Sequence, residues 1–222
     1  MARMDVNKKY YLSDFTARIG SIEDFLALSE HTLDWQFRVE RQRIQHLDAK
    51  QFPIPEDIID HCSYRNHFIE KAEERFTVDL PVFLRHTALM ALTSAVETAS
   101  TDLKKFTEAN FNQVKGKKDP VTIMRIFNGR FSLGEDKLLT DFRHLVTVRH
   151  FIVHNRRDRK YNLDDAVRAL GPHFRIGIML WRGEQVFIDR GGLDPHLSRM
   201  KDFIPKLCED AARNGLWASR SA

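Results

Sequence analysis

From Asp79-Leu80-Pro81 onward the chain carries Val82, Leu89, Leu92, Val96, Ala99, Leu103 and Phe106 at helical steps. Apolar residues recurring in this way draw one continuous stripe along a helix, and such a stripe is stable only when other elements cover it. A chain organised around so long a seam is expected to be mainly α-helical, and the segments around it read the same way. Ser21 with Asp24 three residues later resembles a capping box and predicts a helix start. Leu26, Leu33, Phe37, Ile44 and Leu47 then carry that helix to about Lys50. Phe52-Pro53-Ile54-Pro55 breaks it, because proline disfavours helix at the residue before it. A second helix is expected from Pro55, with Glu56 and Asp57 in its first turn, fraying near Phe76. Lys115-Gly116-Lys117-Lys118-Asp119-Pro120 reads as a basic hairpin between two helices, the second covering 120–128. Gly129 and Gly134 punctuate the chain before a long helix over 135–154. A charged, irregular segment over 155–161 follows. Two strand-like runs, 174–181 and 185–188, then flank Arg182-Gly183-Glu184 as a hairpin, and a last helix over 194–214 stops near Gly215. The expected fold is mainly α, an antiparallel helical bundle with a small β-hairpin near the C-terminal end. Its expected organisation is an N-terminal helical extension over 1–79 and a bundle with hairpin and final helix over 80–222.

At 222 residues, 42% hydrophobic and 30% charged, the chain has enough apolar material for a core and too much for a disordered protein. Thirty-five Lys and Arg against 31 Asp and Glu leave a net charge of +4, a bias that implicates nucleic acid only through where it is placed. No apolar run approaches the roughly 18 residues of a membrane span, and MARMDVNKKYYLSDF has no apolar stretch of the secretory kind. Cys62 and Cys208 form neither a disulfide framework nor a metal-type spacing. The expectation is a cytoplasmic protein with free thiols, off the membrane, with no metal site and no cofactor.

The helix over 135–154 is the segment whose residue types point to chemistry. Leu138, Phe142, Leu145 and Ile152 form one stripe, and Arg149 falls on it where a bundle core would take another leucine. A charge there is costly unless it is paired or opened to a solvated cleft. Arg143, His150 and His154, with Thr147 between them, read as the polar face. Asn155, Arg156, Arg157, Arg159 and Lys160 follow, relieved only by Asp158, so the positive charge concentrates here. Basic charge beside imidazoles of near-neutral pKa suits an anionic substrate that needs proton transfer. Taken alone, Arg149 and His154 also fit an ion-paired arginine and a histidine capping a helix end. His150 and His154 are four apart, as two metal ligands on a helix would be, but no HExxH and no third ligand accompany them. Asp57, His61 and His67 have no completing spacing either, and Cys62 reads as a packing thiol.

Arg149-His150-Phe151-Ile152-Val153-His154-Asn155 resembles the R-x4–6-H motif of the HEPN superfamily (higher eukaryotes and prokaryotes nucleotide-binding). The bare spacing occurs five times in this chain, also at Arg41/His46, Arg143/His150, Arg168/His173 and Arg190/His196. Only Arg149 to His154 adds a polar residue after the arginine, an apolar interior and a following asparagine. Members of that family are helical bundles, and many are metal-independent ribonucleases of toxin–antitoxin, phage-defence and RNA-processing systems. The resemblance implies Arg149 and His154 as the catalytic pair, supported by His150, Asn155 and an acidic residue of an earlier helix, Glu97. It implies RNA as substrate, met by Arg143, Arg156, Arg157, Arg159 and Lys160, and a homodimer whose two motifs share one cleft. An antitoxin or a defence-complex subunit is the kind of protein partner it implies. A non-catalytic HEPN-like module binding RNA, a nucleotide or a protein is the alternative. The likeness covers roughly residues 80–215. Arg157 stands where relatives often have glycine, and Arg156 where adenylylated toxin relatives have tyrosine, so that form of regulation is not implied.

Overall fold

The structure, a computed structural model, describes residues 2–46, 61–154, 162–179 and 183–217. Over these residues the protein is mainly α-helical, with a small antiparallel hairpin near its C-terminal end. The helices are α1 (Ala2–His46), α2 (His61–Glu74), α3 (Leu80–Thr107), α4 (Pro120–Phe131), α5 (Asp136–His154), α6 (Leu163–Leu170) and α7 (Asp194–Arg213). Strands β1 (Phe174–Met179) and β2 (Gly183–Ile188) lie between α6 and α7. None of the described helices is long and apolar enough to cross a membrane. The chain forms two compact units, one of residues up to Glu23 together with those from Ala88 onward, the other of Asp24–Thr87.

In the first unit the α3 stripe is buried as its periodicity predicts, with Leu89, Leu92, Val96, Ala99 and Leu103 all in the core. Leu138, Phe142, Leu145, Val148 and Phe151 bury one side of α5, whereas Ile152, expected on that stripe, is only half-buried. The start of α1 is tied in by Tyr11, whose hydroxyl donates to the Ala99 carbonyl at 2.5 Å. Its ring meets Phe106 and Trp217 edge-on, and those two stack on each other at 4.8 Å. Burial drives the Tyr11 hydroxyl far above the ordinary phenol range, so it stays a donor. Asp119 caps α4 by accepting from the Thr122 amide at 3.0 Å, with Pro120 in the first turn.

The structure departs from the sequence expectation in several places. Helix α4 continues through Gly129 to Phe131 and ends at Ser132, whose φ of 53° is left-handed. The second strand begins at Gly183, two residues earlier than expected, because Met179 pairs with Gly183 and Ile178 with Glu184; residues 180–182 lie outside the described residues. Within the hairpin a Cβ on Gly177 would sit 2.7 Å from the Phe187 ring, so any larger residue there has to displace that ring. Helix α6 was not expected. Its signal is present in hindsight: the Asn162 side chain accepts from the Asp165 amide as a cap, and Leu163, Ala166 and Val167 are its buried face.

Helices α1 and α2 correct two further expectations. No helix starts at Ser21, since α1 runs through it and the Ser21 hydroxyl donates instead to the Ala17 carbonyl one turn back at 2.9 Å. Ile19, Ile22 and Leu26 are buried on both sides of that point, and this continuous burial outweighs the local capping preference. The start expected at Pro55 lies outside the described residues, and α2 does not fray at Phe76. It passes into one turn of π-helix, Arg75–Asp79, in which the Leu80 amide bonds the Arg75 carbonyl. Pro81 supplies the reason, because its ring and missing N–H conflict with a regular turn just before it. Inside the second unit Phe37 packs on Phe76, and Arg85 donates to Glu30 at 2.8 Å.

Candidate active site

The N-terminal end of α5 is fixed by a buried asparagine. Asn128 accepts from the Glu135 amide at 3.1 Å through its side-chain oxygen and donates to Asp136 at 3.0 Å. It therefore pins the turn between α4 and the first residues of α5. Arg199 on α7 adds a second clamp, donating to Glu135 at 3.3 Å and to Asp141 at 3.4 Å. Neither residue stood out in the sequence. Asn128 preceded a glycine and looked like a helix end, and Arg199 finds its carboxylates 58 and 64 positions away.

Farther along α5, Arg149 reaches across to Glu97 on α3. One terminal nitrogen, Nη1, donates to both carboxylate oxygens, at 2.7 and 2.8 Å. Both side chains keep about a third of their surface exposed, 32% and 30%. The arginine on an otherwise apolar stripe is thus paired and partly open to solvent. Only Nη1 is engaged among the described residues, and the other edge of the guanidinium, Nε and Nη2, keeps donors in the fork geometry that fits a phosphate. Beside Glu97, Thr98, Thr101, Asp102, Lys105 and Pro120 line a shallow open depression of about 460 Å³.

His150 and His154 lie one turn apart with ring centroids 4.4 Å from each other and planes inclined by 50°. His154 is exposed at the end of the helix and His150 is half-buried. Arg149 and His154, five residues apart, are separated by about 140° around the helix axis. Arg149 accordingly turns to Glu97, while the ring of His154 lies against His150. Arg143 is exposed; burial pushes the Asp119 carboxyl up, but the hydrogen bonds from Thr122 hold it below its ordinary range, with a smaller contribution from the Arg143 charge. Thr147 does not belong to the polar face expected of it. It is buried, and its hydroxyl donates to the Arg143 carbonyl at 3.1 Å. Asn155, Arg156, Arg157, Arg159 and Lys160 lie outside the described residues. Of the other R-x4–6-H spacings, the one ending at His196 leads into the core, where that ring meets Phe174 edge-on.

Among the described residues no three His, Cys, Asp or Glu side chains are grouped as metal ligands would be. Chemically the arrangement offers a partly exposed guanidinium steadied by a carboxylate and, at the end of the same helix, an accessible imidazole. The chain matches no protein-family model, no curated protein and no solved structure.

Proposed function

We propose that the protein is a metal-independent endoribonuclease of the HEPN type, a cytoplasmic homodimer working in a defence, toxin–antitoxin or RNA-processing system. One observation carries this reading: Arg149, on an apolar stripe, is held by Glu97 through a single nitrogen, with the exposed His154 closing the same helix. In the reaction a ribose 2′-hydroxyl attacks the adjacent phosphorus and the bond to the 5′-oxygen breaks. The products are a 2′,3′-cyclic phosphate and a 5′-hydroxyl end. His154 exchanges the proton, taking it from the 2′-hydroxyl or giving it to the leaving 5′-oxygen. Arg149 stabilises the charge that builds on the phosphorane oxygens, and Glu97 orients it. Arg143, Arg156, Arg157, Arg159 and Lys160 attract the RNA backbone, with His150 and Asn155 supporting the pair. The angular separation of Arg149 and His154 on one helix is what a two-fold dimer resolves, by bringing two copies of the motif around one phosphate.

The test is the reaction's products and its independence of metal. RNA incubated with the pure protein in excess chelator is expected to be cut and to carry 2′,3′-cyclic phosphate ends. Cleavage that stops in chelator and returns on addition of a divalent ion contradicts the proposal. The second reading, a non-catalytic module that binds RNA, a nucleotide or a protein partner such as an antitoxin, draws on the same Arg149–Glu97 pair taken as a structural bridge between helices. It is favoured if RNA is bound and left intact.

A further inference from the structure

The part of α1 that belongs to the second unit has two apolar sides. Leu26, Leu33 and Ile44 form the buried one. At 100° per residue, Phe25, Leu28, Trp35 and Val39 lie on the opposite side of the helix. All four are exposed, Leu28 by 69% and Trp35 by 61%, which is unusual for side chains of this size. With Thr32 between them they follow steps of three, four, three and four residues, the alternation of the a and d positions in a coiled-coil seam. A stripe with that spacing has the knobs and holes that receive another helix.

The charges beside the stripe select which helix. Asp24, His31 and Arg38 run along one edge, and Ser29, Gln36 and Arg43 along the other. A parallel copy would set Arg38 against the partner's Arg43, which is already held by its own Glu40 at 2.7 Å, so this arrangement brings no attractive pair. An antiparallel copy centred near Glu30 sets Asp24 against the partner's Arg38, and by symmetry does so twice. The same register places Phe25 on the partner's Trp35 and Leu28 on the partner's Thr32, so large apolar groups meet from both sides of the two-fold axis. We infer that this face of α1 is a self-association surface on which the same helix of a second copy lies antiparallel. The inference is independent of the ribonuclease reading, because it uses no residue of the Arg149–His154 motif and its readout is mass.

The experiment is sedimentation equilibrium on the full chain. Leu28→Glu combined with Trp35→Glu is expected to remove one association step and leave helicity by circular dichroism unchanged, since both positions are exposed. Asp24→Arg and Arg38→Asp, made separately, are each expected to weaken self-association on the order of tenfold, because two attractive pairs become two repulsive ones. Mixed together, the two single variants are expected to associate with close to parental affinity, since each reversed charge then meets its complement in both pairs. A Leu28→Glu/Trp35→Glu protein with the parental mass at every concentration overturns the inference, as does a parent that is monomeric throughout. A mixture that associates no better than its components overturns the antiparallel arrangement.

Discussion

Arg149 gives one terminal nitrogen to Glu97, and among the described residues the other edge of its guanidinium has no hydrogen-bond partner. Both partners are about a third exposed, so solvent screens the attraction and their coupling in a double-mutant cycle of Arg149→Ala and Glu97→Gln is expected near 1 kcal/mol. Activity separates the two readings of the pair. If Glu97 orients a catalytic arginine, Glu97→Gln lowers RNA cleavage by more than its stability change accounts for; if the pair is only a bridge between helices, thermal stability alone responds. The sequence identifies both residue types, Arg149 by its place on an apolar stripe and Glu97 through the family resemblance. It does not reveal that they meet, because no local spacing connects positions 52 residues apart.

At the scale of the elements, α5 is aimed by groups at its own beginning. Asn128 is buried and serves both the Glu135 amide and the Asp136 carboxylate. Asn128→Ala is expected to cost about 2 kcal/mol in chemical denaturation, since it removes a cap and leaves a half-buried amide without its acceptor. The long stripes of α3 and α5 are legible in the sequence because burial on one helix face repeats every turn. The uninterrupted course of α1 through Ser21 is not, because a serine that looks like a cap can bond the preceding turn instead, and only tertiary burial decides between the two. The π turn before Pro81 is likewise hidden, as proline signals a conflict without saying whether the helix stops or widens. The α6 helix carries a local signal in its Asn162 cap, but at eight residues it is too short to show a repeating stripe.

For the whole molecule, pH is a global test of burial. His144 on α5 and His196 on α7 are both held below the ordinary imidazole range by burial. Asp141 pulls both upward, as does Asp165 for His144, while Arg143 beside His144 and Arg199 beside His196 push down. Because the folded state resists protonation, the unfolded chain binds more protons between the lowered values and about 6.5. The stability these residues contribute is therefore full above that pH and is lost as pH falls below it. Melting followed from pH 7.5 to 5.5 is expected to show a falling midpoint, and His196→Gln is expected to flatten that dependence. A midpoint that rises on acidification over this range contradicts the burial of these rings as neutral imidazoles. The two-fold arrangement proposed for the motif makes a further prediction: if each composite site takes its arginine and histidine from different chains, Arg149→Ala mixed with His154→Ala regains part of the lost activity.

In the proposed ribonuclease His154 is the proton-transferring group. The direct test of that role is RNA cleavage by the parent and by His154→Ala, purified side by side and compared for helicity and melting. The expected result is a loss of at least about a hundredfold in rate, the usual contribution of a general acid or base, with the fold intact. Equal cleavage by the two proteins contradicts that role.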